Sequence, residues 1–372
     1  MKIILFFTYK VQIKDWLKSG LFDREVELYT QLQKKGHEIT FVTYDEESYD
    51  SLLREKNIKH MPIFKNTRVP KSNLAYILKT FLFLFKFKKE FKKADIYKSN
   101  QLLGAWLPII GKLFFRKKLY IRTGYDLLEF SLKNKKNILK LAAYYFLTQI
   151  AIISSNIYTV TSKTDKKLIK KRFIYQINKL KIRNNWVYIP EKKQIEDRYK
   201  NKLLMVGRLE KQKNFELVIE KLKGSNFNLY IFGNGNDKDK LENLAHKNNV
   251  NLNIVDSIPN NDLIKEYGKY VIFLMPSIFE GNPKALLEAM AAGCIVIASN
   301  IKNHQELIDH GENGFLVDFN NLDLVNFIED LFLDENKLEE LSSNAMSYIL
   351  ENNSFEKYIN KEILDYMSIL QS

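Results

Sequence analysis

Residues 271–299 constrain the fold more than any other stretch of this chain. Val271 to Ser277 (VIFLMPS) is a short, wholly apolar run of the kind buried on both faces of a parallel sheet. An almost entirely apolar helix follows, Gly293 closes it, and Cys294 to Ala298 reads as a second buried strand. Between the first strand and the helix stands Glu280-Gly281-Asn282-Pro283-Lys284-Ala285. Asn282 is expected as N-cap and Pro283 as first helical residue, where a missing N–H costs nothing. The first-turn amides of Lys284 and Ala285, the positive helix end and the Lys284 ammonium then converge on one point, an anion site suited to a diphosphate. Glu280 and Glu288 lie eight positions apart, astride the helix start. Taken singly they read as solvated acids, as most glutamates are. Inside this apolar helix, however, a carboxylate needs a partner or a ligand, and two acceptors beside a phosphate cradle suit sugar or ribose hydroxyls.

The same alternation runs through the chain. Strands are expected at 2–8, 38–43, 118–123 and 157–161, with helices between, and the scheme repeats at 203–207, 228–232 and 252–255. The class is therefore α/β, and 372 residues are enough for two cores of ordinary size. One domain is expected over 1–185 and a second over 200–354. A linker falls within 186–200, and a last helix, 355–372, returns to the first domain. The single cysteine, Cys294, begins a buried strand, which rules out a disulfide framework and fits a reducing cytoplasm. Met1 to Phe7 is too short an apolar run for a signal segment and reads as the first strand.

Charge divides the chain unevenly. Residues 1–200 carry 42 Lys+Arg against 18 Asp+Glu, and residues 201–372 carry 16 against 26. A general lysine bias would act on both halves, so the basic first half implies an anionic partner. Leu141 to Val160 is uncharged over 20 residues, the length of a membrane span, but its polar residues and strand-like end favour a buried helix followed by a buried strand. Thr80 to Phe91 and Leu102 to Phe115 set phenylalanine and leucine beside basic clusters. Such segments lie on anionic lipid, or else pack one face on the core and solvate the other.

The run EGNPKALLEAMAAG followed by IVIAS resembles the carboxy-terminal lobe of GT-B glycosyltransferases, of the retaining family-4 type with its Glu-x7-Glu signature. Supporting pieces come in the expected order: Val206-Gly207-Arg208-Leu209 with Lys213-Asn214, then Phe232-Gly233-Asn234-Gly235, then Asn313-Gly314-Phe315-Leu316-Val317. The match covers roughly 200–330. The resemblance implies two Rossmann-like lobes with parallel sheets facing a central cleft, and transfer of a hexose or N-acetylhexosamine from a UDP- or GDP-linked donor with anomeric retention. It implies that Arg208 and Lys213 hold the phosphates, Glu280 contacts the transferred sugar and Glu288 takes the ribose. Gly207, Gly233, Gly281, Asn282, Pro283, Lys284 and Ala285 would complete the donor site. No metal and no cofactor is implied, and Asp237-Lys238-Asp239 is expected to open a helix rather than bind a cation.

The amino-terminal half departs from the family. Where many members place a histidine, this chain has Arg122-Thr123-Gly124-Tyr125-Asp126, and its first loop has Gly20 without a glycine pair. Gly20, Arg122 and Asp126 are the candidates there for contact with sugar or acceptor. The expected acceptor is a lipid-linked glycan of bacterial surface-polysaccharide assembly, reached on the inner face of the cell membrane; nucleic acid is not an expected partner. The competing reading is a basic polyanion- or nucleic-acid-binding protein on a dead scaffold, against which the complete Arg208, Lys213, Glu280 and Glu288 set argues.

Overall fold

The structure, a computed structural model, describes residues 1–371 apart from 125, 134–136 and 174–176, and leaves the side chain of 177 undescribed. Two compact units divide the chain: Met1–Arg183 with Ile359–Ser372, and Asn184–Tyr358.

The first unit holds a seven-stranded parallel sheet of β1 (Lys2–Phe6), β2 (Glu38–Thr43), β3 (Ile58–Pro62), β4 (Ile96–Ser99), β5 (Lys118–Arg122), β6 (Ile157–Val160) and β7 (Leu180–Ile182). Their spatial order is β3-β2-β1-β4-β5-β6-β7, which leaves β3 at one edge. Residues 359–371 complete this unit through buried polar contacts. Lys98 on β4 is fully buried, pairs with Glu362, and lies 4.9 Å from the Tyr29 ring centroid. Asp365 accepts from Lys181 at 2.8 Å and from Arg183 Nε at 2.7 Å. A buried ammonium tolerates such a place only because a carboxylate and ring faces surround it.

The second unit holds a six-stranded parallel sheet of β8 (Tyr199–Val206), β9 (Asn228–Phe232), β10 (Asn251–Val255), β11 (Tyr270–Met275), β12 (Ile295–Ser299) and β13 (Phe315–Val317), in the order β10-β9-β8-β11-β12-β13. Every residue of β11 is buried, as its unbroken apolar sequence requires in a sheet covered on both faces. Gly293 ends the Lys284–Ala291 helix at φ +73, where an added Cβ would also meet Ser342 Oγ at 2.6 Å. Residues 186–200, expected to link the halves, lie in this unit: Trp186 packs on Phe355 at 4.3 Å between ring centroids, and Val187 bridges Ser354.

One expectation fails in the first unit. The apolar stretch before β6 forms the Ile138–Ser154 helix, but it is not buried: only Thr148, Ala151 and Ile152 are enclosed, while Ile138, Leu139, Phe146, Ile150 and Ile153 face outward. Apolar composition was read there as burial, yet the helix uses one narrow stripe for packing. Among the described residues no helix is long and apolar enough to cross a membrane.

Candidate functional site

In the second sheet the chain runs outward from β8 through β9 to β10, then returns to place β11 on the other side of β8. Loops leaving β8 and β11 therefore diverge from the one place where the strand order reverses, which is where open α/β sheets bind ligands. These are the loops that carry Arg208, Lys213 and Glu280. Three hydrogen bonds tie them together: Gln212 Nε2 donates to the Phe279 carbonyl (2.8 Å), Ile278 N to the Gln212 carbonyl (2.9 Å), and Asn214 Nδ2 to the Pro276 carbonyl (3.3 Å). Asn214 precedes the Phe215–Lys221 helix in a left-handed conformation, and its side chain serves this tie and makes no helix-capping hydrogen bond.

The tie brings Lys213 and Glu280 together. Nζ stands 2.6 Å from Oε1, and the side chains are only 13% and 8% exposed. The lysine chain lies along Gly207, where any Cβ would come within 3.0 Å of its Cε. Arg208 behaves differently: its side chain is 64% exposed and pairs with Glu210 at 3.0 Å. Of the charged groups expected to act together, the structure unites Lys213 and Glu280 and leaves Arg208 at the surface.

The glycines after β9 have a local task. A Cβ on Gly233 would fall 1.9 Å from the Gly207 carbonyl oxygen, and one on Gly235 would fall 2.3 Å from that of Leu209. Backbone bonds from Gly207 N to Phe232 O and from Leu209 N to Asn234 O, both 3.0 Å, hold the two loops at that spacing. The glycines thus shape the loop that carries Lys213.

The helix start is one residue later than expected. Pro283 (φ −71, ψ 111) is the N-cap, and Lys284–Ala291 is the helix. Asn282 does not cap it, because it is engaged elsewhere: its Oδ1 accepts from Asn185 N (2.8 Å) and its carbonyl from Asn185 Nδ2 (2.6 Å). The first intrahelical bond is Leu287 N to Pro283 O, so the amides of Lys284, Ala285 and Leu286 form the positive helix end, with Gly281 in the bend before it. Lys284 Nζ lies over the Trp186 ring at 5.2 Å.

Glu288 is buried, and both its oxygens accept hydrogen bonds, Oε1 from Asn260 Nδ2 (3.1 Å) and Oε2 from Tyr267 OH (3.2 Å). Sequence reasoning missed these two donors. They sit seven residues apart in the Asn260–Tyr267 helix, on one face two turns apart, and that spacing was the available signal. It also missed His304, which no motif marks. His304 follows β12 and is completely buried. Its Nδ1 stands 2.8 Å from the Ser299 carbonyl and so carries the proton, leaving Nε2 as a buried acceptor with no partner among the described residues. Burial holds this imidazole below its ordinary pKa, while Glu280 and Lys213 act on it in opposite senses. Among the described residues no group of three or more His, Cys, Asp or Glu side chains could hold a metal ion.

The first-unit candidates fall on separate features. Gly20 has φ +66 just beyond the Ile13–Lys18 helix, and Arg122 is the last residue of β5. Asp126 is buried: Oδ1 accepts from the Leu128 and Glu129 amides at 2.9 and 3.0 Å, and Oδ2 from Arg172 Nη1 at 3.1 Å. It therefore opens the Leu127–Lys133 helix, with desolvation raising its pKa against these bonds.

Residues 189–348 match the family model of glycosyl transferases group 1. An uncharacterized glycosyltransferase of Haemophilus influenzae is 28% identical over 222 residues, 57% of this chain and 61% of that one, so the chain spans about three fifths of that relative's length. An O-antigen biosynthesis glycosyltransferase of Escherichia coli is 26% identical over 279 residues, 73% of this chain and 78% of its own length. Among solved structures, Anabaena HepE in complex with UDP and glucose superposes with a TM-score of 0.75 over 99% of both chains at 16% identity. At that identity the likeness concerns the fold, which is GT-B.

Proposed function

We propose, from a carboxy-terminal unit that belongs to glycosyl transferases group 1, that this chain transfers a hexose or N-acetylhexosamine from a nucleotide diphosphate sugar to a glycan acceptor, with anomeric retention. The observation that carries the proposal is the largely buried Lys213–Glu280 pair at the strand-order reversal, beside the start of the Lys284–Ala291 helix. An incoming diphosphate competes with Glu280 for the Lys213 ammonium and gains the helix-end amides as well. Once exchanged, the Glu280 carboxylate is available to the hydroxyls of the sugar. Lys213 then stays with the leaving group, where charge develops during bond cleavage. Glu288, oriented by Asn260 and Tyr267, serves the ribose. UDP is the nucleotide favoured by the bound complex of the Anabaena neighbour.

The acceptor reading extends from the O-antigen relative to a lipid-linked glycan, met at the inner face of the cell membrane. The outward apolar residues of Ile138–Ser154, Leu113 and Phe114 of Trp106–Phe115, and Leu74, Leu78 and Leu82 of Asn73–Lys86 support peripheral attachment through the first unit, and Phe81 and Phe85 join two of these helices through Phe114. A nucleotide-sugar panel scored by released nucleoside diphosphate tests the activity. Thermal stabilisation by UDP or GDP at physiological salt, and not by oligonucleotide, separates it from a polyanion-binding role. Absence of turnover with every donor, together with stabilisation by oligonucleotide alone, would overturn the proposal.

A further inference from the structure

A groove of about 750 Å³ lies in the first unit along β3, far in sequence from Lys213, Glu280 and Glu288. β3 is an edge strand, so one of its sides is not covered by another strand. The opposite wall is the Asn73–Lys86 helix, which lines the groove with Lys79, Leu82, Phe83 and Lys86. Their spacing of i, i+3, i+4 and i+7 puts all four on one helix face. Four lysines line the groove against a single glutamate. Lys59 pairs with that Glu90 at 2.8 Å, and Lys65 with Asp50 at 3.5 Å. Lys79 and Lys86 have no carboxylate within ion-pair distance among the described residues: Lys79 donates to the Arg68 carbonyl, and Lys86 lies over the Phe87 ring at 5.5 Å. The groove is thus a cationic site with an apolar wall.

The helix continues outward from that wall in an exposed leucine row. Leu74 is 79% exposed, Leu78 54% and Leu82 53%, at i, i+4 and i+8. Three leucines in water on one stripe, running into a lysine-lined groove, form an amphiphilic surface with apolar and cationic ends in fixed order. An inorganic anion uses only the lysines, and an apolar protein surface uses only the leucines. A molecule with a negative headgroup joined to an acyl chain uses both.

We propose that this groove is a headgroup site for an anionic membrane lipid, whose acyl region lies against Leu74, Leu78 and Leu82. The inference deepens the peripheral attachment put forward above and rests on it, but it does not depend on the transfer reaction. It replaces diffuse attraction of a basic unit to a charged surface with a located site of defined stoichiometry, and it fixes which face of the first unit meets the bilayer.

The test compares two full-length triple variants with equal loss of charge. One is Lys65→Gln, Lys79→Gln, Lys86→Gln in the groove; the other is Lys167→Gln, Lys170→Gln, Lys171→Gln, exposed residues of the Lys163–Arg172 helix. Binding is measured on phosphatidylcholine vesicles with and without phosphatidylglycerol. The groove triple should weaken binding to the anionic vesicles about a hundredfold, as expected for three lysines near the surface, and the control triple about threefold or less. Leu74→Ser with Leu78→Ser, at positions too exposed to threaten folding, should also weaken it. Dihexanoyl phosphatidylglycerol below its micelle concentration should bind one per chain, and inorganic phosphate at the same concentration should not. Equal losses from the two triples would overturn the site in favour of diffuse charge. Phosphate binding as tight as the lipid's would overturn the lipid assignment. Lipid binding by a protein that neither UDP nor GDP stabilises and that turns over no nucleotide-sugar donor would leave this site standing while removing the proposed activity.

Discussion

Lys213 and Glu280 are 67 positions apart in the chain, and their meeting was not legible in the sequence although each residue was. The motif named both, but assigned one to phosphate and the other to sugar; only the return of β11 to the side of β8 makes them partners. Lys213→Ala should lower turnover by about 10²–10³, the range for loss of one preorganised charge-stabilising donor, with the protein still folded but its unfolding temperature lowered by the loss of Glu280's partner. Turnover within a few fold of wild type would remove Lys213 from the leaving-group site. For Arg208, exposed and paired with Glu210, the same substitution tests whether donor binding recruits it. His304 gives a pH signature. Its folded pKa is below the ordinary imidazole value of about 6.5, with burial the first cause, so the unfolded chain takes up the proton first. Stability is then fully present above that value and falls as pH drops through it toward the lower folded pKa. Over that window His304→Gln should flatten the fall in unfolding temperature seen for wild type; an unchanged pH profile would show that another group governs it. An acid in an apolar helix demands donors, which makes Glu288 legible; Asn260 and Tyr267 supply them from another helix, where their shared face is visible but their partner is not.

Strands and helices were the most legible level, because a sheet covered on both faces demands continuous apolar strands, as in β11 and β12. What escaped were features decided by tertiary partners. Asn282 has the chemistry of an N-cap, but Asn185 claims its side chain, and the helix begins beyond Pro283. The Ile138–Ser154 helix has the composition of a core element, yet Ile138, Leu139, Phe146, Ile150 and Ile153 are exposed. The resemblance gives Gly233 a place in the donor site, and its most demanding neighbour proves to be the Gly207 carbonyl. Gly233→Ala should therefore separate the β8 and β9 loops, costing roughly 1–3 kcal/mol of stability as an overpacked site does, and should weaken UDP binding by displacing Lys213. Gly36→Ala, at φ +83 with nothing within 4 Å of the new Cβ, should cost stability through backbone strain alone and leave UDP binding intact. Equal nucleotide affinity in the two variants would show that the glycine loop does not shape the site.

On the scale of the whole molecule, two domains and a basic first half were legible from the alternation of elements and the distribution of charge. The means by which residues 359–371 join the first unit was not, since nothing in the sequence marks Lys98 for an interior place. Burial lowers the pKa of Lys98, and Glu362 opposes that shift. Removing one member of such a pair strands the other: Glu362→Ala should cost about 3–5 kcal/mol, and Lys98→Met added to it should recover part of the loss. Additive losses in the double variant would show that the two are not energetically coupled. The arrangement also bears on how the protein is made. Residues 1–183 are synthesised first, yet the carboxylates that receive Lys98, Lys181 and Arg183 are synthesised only after residue 358. The sequence of the first unit is accordingly completed after that of the second, which is continuous from 184 to 358. A released chain truncated after residue 358 should present a protease-resistant second unit and a susceptible first one, although the first was translated earlier.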